Sequence, residues 1–258
     1  MAGGVVSFRH SGDMGDIVAG MAAVREFCAA RGVRARLLLD TSGAWDCPAC
    51  VRQSGGIGMK FGEAQFAFLA PLLRAQPFVE SVEVWDKAER PDVDLNSFRG
   101  FLGRPFSANL LYAHQRVLGQ EVGYRGPWLD APPERPTRAV LVARSNRYHS
   151  SDQLYNSNRE KIRAFVGTDL EHAAFADCTR IVPERVPVAD ALELAAELAA
   201  AKLLLVNGTL AYWIALGVGC PRIMHEVGIG IRTTVFREAV PGLSYVVGSR
   251  IVEGKDVP

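Results

Sequence analysis

Short apolar runs alternate along this chain with segments of helical period. Residues 4–10 (GVVSFRH) form a β-branched apolar run of the kind that fills a buried strand. A polar stretch follows at 11–16 (SGDMGD), after which Ile17, Met21, Val24 and Phe27 recur at helical spacing. Gly32 breaks the chain before another apolar run at 35–40 (ARLLLD). Strand, helix and strand within roughly forty residues make a βαβ unit, which favours a parallel sheet. A glycine-rich stretch at 54–62 leads into an expected helix at 63–76, a strand at 79–86, a further candidate strand at 94–99 and a helix at 107–119.

Residues 123–138 (GYRGPWLDAPPERPTR) carry turn residues and no apolar period, which marks them as a linker. The α/β pattern then resumes. Strands are expected at 139–145, 161–168, 202–208 and 221–228, with helices at 170–178, 188–201 and 209–219. The pattern predicts an α/β fold of two Rossmann-like domains, 1–125 and 126–258, with parallel sheets facing across a cleft.

Composition narrows the class. At 258 residues with 48% hydrophobic and 22% charged positions, the chain reads as globular. Lys plus Arg total 29 against 28 Asp plus Glu, so nothing in the charge demands nucleic acid or an acidic membrane. The N-terminal residues lack the pattern of a signal peptide, and no apolar run approaches the length of a membrane span, so a cytoplasmic location is expected. Cys28, Cys47, Cys50, Cys178 and Cys220 are an odd set without a secretory signal, which argues against a disulfide framework. Cys47 and Cys50 form a CxxC among loop residues. They read as loop cysteines, with metal binding alongside Cys28 or a histidine as the alternative.

Four loops at expected strand ends carry candidate chemistry, and ligands of open α/β sheets bind at such ends. In the first, Gly12 and Gly15 let the backbone approach a ligand. Asp13 and Asp16 suit hydroxyl binding or proton removal better than phosphate, or else they cap the helix. In the second, Arg144, Asn146, Arg147 and Tyr148 form either a diphosphate clamp or a solvated basic loop. In the third, Asn207, Gly208 and Thr209 open a helix whose free N–H groups suit an anion, or form an ordinary cap. Glu226 ends a strand, where a carboxylate can take both hydroxyls of a ribose. The nearest DxD match, Asp92-Val93-Asp94, precedes an expected strand and reads as structural, so no metal is expected at the site.

Residues 11–24 (SGDMGDIVAGMAAV) resemble the opening motif of the ADP-heptose heptosyltransferases, the family-9 glycosyltransferases. Residues 165–175 and 202–223 are similar to that family's nucleotide-binding end. The resemblance implies a GT-B fold and an inverting, metal-independent transfer from a nucleotide-sugar donor, which is a co-substrate rather than a cofactor. It implies that Asp16, preceded by Met14-Gly15, acts as or beside the catalytic base, with Asp13 an additional acid. The family's Asp-Thr-Gly type turn is replaced here by Asn207-Gly208-Thr209, and Tyr212 stands near its histidine position. The expected acceptor bears a hydroxyl: a glycan, a lipid-linked sugar, a small molecule or a modified DNA base. A hydroxymethylated-base transferase and a non-catalytic nucleotide- or sugar-binding protein are the alternatives.

Overall fold

The computed structural model describes residues 4–44, 60–102, 109–130, 135–145, 152–228, 233–247 and 250–252. The first half contains β1 (Val5–His10), α1 (Met14–Arg31), β2 (Arg34–Leu39), α2 (Glu63–Arg74), β3 (Val79–Val84), β4 (Val93–Asp94), α3 (Phe98–Phe101) and α4 (Leu110–Val117). Its strands form a four-stranded parallel sheet in the order β3-β2-β1-β4. Strand was expected over 94–99, but only Val93–Asp94 pairs with β1. The Asp94 carboxylate then accepts the Asn96 N–H, and a 3-10 turn at Leu95–Ser97 leads directly into α3. An Asp ahead of a short polar stretch caps a turn more readily than it extends a strand.

The second half contains β5 (Leu141–Ala143), α5 (Gln153–Asn156), β6 (Ala164–Val166), α6 (Asp169–Thr179), β7 (Glu184–Val186), α7 (Ala191–Ala199), β8 (Leu204–Asn207), α8 (Leu210–Gly217), β9 (Ile223–Glu226), β10 (Leu243–Val247) and β11 (Arg250–Val252). Their order is β11-β10-β9-β8-β5-β6-β7, parallel except for β11 at the edge. Counted from β5, the parallel strands run 3-2-1-4-5-6, the doubly wound order, with its switch point between β5 and β8. The first sheet has the corresponding switch point between β1 and β4. β7, β10 and β11 carry no clear pattern in the sequence, being short or lying at the sheet's edges.

α1 is buried on nearly every side rather than along one stripe: Ile17 through Val24, then Phe27 and Cys28, are covered. A helix apolar all round is one enclosed all round. α1 lies against its own sheet, and α8 and α4 pack against it as well. One apolar cluster therefore runs from Phe8, Leu37 and Val82 of the first sheet through α1 to Trp213, Val206 and Ile223 of the second.

Residues 123–130 have no helix or strand, yet they are packed. Trp128 is 3% exposed, its indole N–H donates to Val18 O at 3.0 Å, and its backbone N–H donates to Gly217 O at 2.9 Å. A second fastening joins α4 to the segment before β10. Leu110 N–H donates to Thr233 O, the Asn109 amide donates to Val235 O, and the Tyr112 hydroxyl donates to the Glu238 carboxylate.

Because the core is shared, the two sheets are expected to unfold in one transition, with far-UV and near-UV circular dichroism coinciding in urea. Trp128→Ala should lower stability by about 3–5 kcal/mol without splitting that transition. Separate transitions for the two halves would contradict the shared core.

Candidate active site

The carboxyl ends of β1 and β4 are tied by one side chain. Asn96, just past β4, accepts through Oδ1 both the Ser11 N–H and the Ser11 hydroxyl, each at 2.8 Å. Arg99 adds bonds to Asn96 Oδ1 at 3.2 Å and to Ser11 O at 3.3 Å. The second sheet repeats the device at its own switch point. Asn207, ending β8, accepts the Ser145 N–H at 3.1 Å and donates to Ser145 O at 2.9 Å across to the end of β5. Each amide fixes the loop opposite it, which is where an open α/β sheet builds its site.

The loop after β1 is crowded. Asp13 is the N-cap of α1, and the Asp16 carboxylate accepts the Asp13 N–H at 3.2 Å, so the capping reading of these acids is realised. Both remain half-exposed. A Cβ on Gly12 would lie 2.6 Å from the His10 ring and 2.7 Å from Asp16 Oδ2, so only glycine fits between them. A Cβ on Gly15 would lie 3.3 Å from the Trp213 ring and 3.7 Å from Leu210 N, the first residue of α8. The acid-bearing loop thus abuts the N-terminus of α8.

That helix end has no side-chain cap. Thr209 is its N-cap, but its hydroxyl points back to Asn207 O at 3.3 Å. First-turn N–H groups and the positive end of the dipole are available to an anion. His225, from β9, lies beneath the turn, its Nε2 3.4 Å from where a Gly208 Cβ would sit. Both of its ring nitrogens are buried without a hydrogen-bond partner, and burial pushes its pKa down to about 3.

Arg144, Asn207 and Glu226 are three of the candidate donor ligands that fall among the described residues. All three sit at neighbouring strand ends as expected, yet none is more than 2% exposed. Arg144 pairs with Asp152 at 3.1 Å, and its guanidinium lies 5.6 Å from the Tyr155 ring centre. Glu226 accepts the Tyr155 hydroxyl at 3.1 Å, and burial, with the Glu226 charge, holds that phenol well above its ordinary pKa. Both partners come from the segment that follows β5, Asp152 for Arg144 and Tyr155 for Glu226, and the sequence does not show those pairings. These residues form a buried polar floor at the strand ends. Asn146, Arg147, Tyr148, Cys47 and Cys50 lie outside the described residues.

The Asp92-Val93-Asp94 triplet is engaged internally. Asp92 accepts the Ser7 N–H at 2.8 Å and hydroxyl at 2.7 Å, and Asp94 pairs with Arg9 at 3.1 Å. Among the described residues, no three His, Cys, Asp or Glu side chains cluster as metal ligands, and no helix is long and apolar enough to cross a membrane.

Sequence reasoning missed His10, Asn96, Arg99, His114 and His225. His10 lies directly before the motif and was legible as its neighbour. His114 is 104 positions away and gave no local signal.

Two α/β sheets whose switch-point loops meet where Gly15 abuts the start of α8 define a protein of the GT-B architecture. The structure is similar to that of E. coli heptosyltransferase WaaC with ADP-2-deoxy-2-fluoro heptose, with a TM-score of 0.57 and 12% identity over 94% of this chain and 92% of that one. It is similar to a family-9 glycosyl transferase from Veillonella parvula, with a TM-score of 0.52 and 12% identity over 88% and 81% of the two chains. It is also similar to TibC, an iron-containing dodecameric glycosyltransferase from enterotoxigenic E. coli, with a TM-score of 0.59 and 12% identity. That match covers 97% of this chain and 64% of TibC, so the chain spans less than two thirds of that protein's length. No protein-family model and no curated protein matches the sequence. At such identities the likeness is one of fold, and it is the fold that the motif at 11–24 implied.

The buried histidines set a pH dependence. His10, His114 and His225 all have folded pKa values depressed below 6.5, with His114 pushed down to about 4 by burial. Their contribution is complete above the unfolded pKa and is lost as pH falls toward the folded values, because the unfolded chain takes up protons that the folded one refuses. Each costs up to about 1.4 kcal/mol per pH unit in that window. Urea midpoints should therefore fall between pH 7 and pH 5. His225→Phe, which leaves no hydrogen-bond partner stranded, should make that fall shallower. An unchanged slope in this variant would contradict the assignment.

Proposed function

We propose that the protein is a glycosyltransferase that moves a sugar from a nucleotide-activated donor to an acceptor hydroxyl, with inversion and without a metal. The observation that carries the reading is the contact of Gly15 with Leu210 and Trp213, which sets an acidic loop beside an uncapped helix N-terminus. A proton acceptor and an anion site side by side are the two groups such a transfer requires.

In this reading the second half, 126–258, holds the donor. Its diphosphate lies at Gly208, Thr209 and the first N–H groups of α8, with Asn146, Arg147 and Tyr148 as its further expected ligands and the nucleoside over the floor of Arg144, Asn207 and Glu226. The acceptor enters on the side of the first half, 1–125. Asp16 takes the proton from its hydroxyl as the oxygen attacks the anomeric carbon. The bond to the diphosphate oxygen breaks on the opposite face, and the electron pair leaves with the nucleoside diphosphate. Helix N–H groups, already oriented, receive that developing charge without reorganisation. Asp13 caps the helix and keeps Asp16 in its rotamer.

The heptosyltransferase structures similar to this chain are described with ADP or an ADP-sugar analogue, which makes nucleotide sugars the first ligands to try. A panel of nucleotide sugars should raise the melting temperature with a preference for one base and one sugar. With the preferred donor, Asp16→Asn should lower turnover by about 100-fold or more while leaving that thermal shift in place. Full activity in Asp16→Asn would remove the base assignment. Binding without any transfer or hydrolysis would instead identify a non-catalytic nucleotide-binding protein.

A further inference from the structure

Beneath the acid-bearing loop lie His10 and His114, 2% and 0% exposed, with their Nε2 atoms 2.9 Å apart. Neither is needed for the chemistry above, and neither touches the space where ligands would sit. Their hydrogen bonds nevertheless admit a single arrangement. Gly12 N–H donates to His10 Nδ1 at 2.9 Å, so that nitrogen carries no proton. A neutral His10 must then carry its proton on Nε2 and give it to His114 Nε2. His114 is left with its own proton on Nδ1, which faces Leu110 O at 2.8 Å. Both rings are neutral: burial first drives His10 well below its ordinary value, a second proton between the facing rings and the Arg99 charge oppose its protonation further, and burial pushes His114 down to about 4. Phe98 stacks on both rings, at 5.4 and 4.3 Å between centroids and tilted by 29° and 20°.

Space around the pair is equally restricted. A Cβ on Gly20 of α1 would lie 3.0 Å from the His114 ring, so α1 is side-chain-free where that ring enters. At the other end, the His10 ring and Asp16 Oδ2 both border the spot a Gly12 Cβ would fill, at 2.6 and 2.7 Å from it. A rotated His10 ring would turn the Gly12 peptide and displace the Asp16 carboxylate with it. Leu110, which receives the last bond of the series, also donates its N–H to Thr233 O at 2.8 Å, and the adjacent Thr234 lies against Gly208 of the donor turn.

We propose that His10 and His114 are a positioning pair whose fixed tautomers orient the Gly12 turn and hold Asp16 in its working geometry. The inference rests on the transferase reading and adds residues that touch neither donor nor acceptor. It assigns the proton of each ring and separates two functions within His10. The Nδ1 atom holds the loop, whereas Nε2 reaches α4.

Two substitutions divide those functions. His10→Asn keeps an acceptor at the position of Nδ1, and His10→Gln keeps a donor at the position of Nε2. In the full-length protein, long-range proton–nitrogen spectra should show His10 protonated on Nε2 and His114 on Nδ1. The Gly12 amide should exchange slowly in the wild type and in His10→Asn, and about tenfold or more faster in His10→Gln. With the nucleotide sugar chosen by thermal shift, His10→Gln should lower kcat by about tenfold or more with donor KM little changed, and His10→Asn should restore most of it. His10 protonated on Nδ1, or equal losses of Gly12 protection and kcat in the two variants, would overturn the proposal. No turnover in the wild type would sink the transferase reading alone, because the tautomers and the Gly12 exchange are read without substrate.

Discussion

The structure depends on the close approach of two helix N-termini at Gly15. A Cβ there would crowd the Trp213 ring at 3.3 Å and lie in ordinary contact with Leu210 N at 3.7 Å, so glycine leaves room for this approach. Since α1 and α8 each follow a strand at its sheet's switch point, their contact turns the carboxyl ends of both sheets toward one space. It also brings two positive helix ends together, an arrangement that favours negative charge from side chains or ligands. Asp13 and Asp16 supply that charge on one side. The uncapped end of α8 leaves it to a ligand on the other.

Much of this was legible in the sequence. The run at 4–10, the loop at 11–16 and the helical spacing from Ile17 fixed a strand–loop–helix unit from hydrophobic period alone. Asn207-Gly208-Thr209 marked the start of α8 in the same way. What stayed hidden follows from pairings across the fold. The burial of Glu226 under the Tyr155 hydroxyl and the pairing of Arg144 with Asp152 leave no mark in the local sequence. α1 shows one apolar stripe to the eye, yet α8 and α4 bury its other faces, so its alanines and glycines carry packing that their small size conceals. His114 has no local signature at all. Its meaning comes from a ring on another element meeting it nose to nose.

The molecule makes a compact version of a two-sheet architecture. Its first sheet keeps four strands, enough to carry one switch point and the loop that matters. The halves are joined less by residues 123–130 as a tether than by what those residues pack against, since Trp128 and Leu129 both bond to the end of α8. The segment at 233–238 adds a clasp through Asn109, Tyr112 and Glu238. Polar fastenings recur at each place where the site needs precision: Asn96 across the first switch point, Asn207 across the second, and the histidine pair beneath the loop. Polar groups paired in this manner specify one geometry more sharply than apolar contact does.

The central claim is that the acid-bearing loop and the α8 N-terminus border one reaction space. A crystal structure of the protein with a bound nucleoside diphosphate tests it most directly. The account predicts diphosphate oxygens within hydrogen-bond reach of the Leu210 and Ala211 backbone N–H groups, with Asp16 bordering the same space. A diphosphate seated away from α8, or an Asp16 carboxylate walled off from it, would contradict the account.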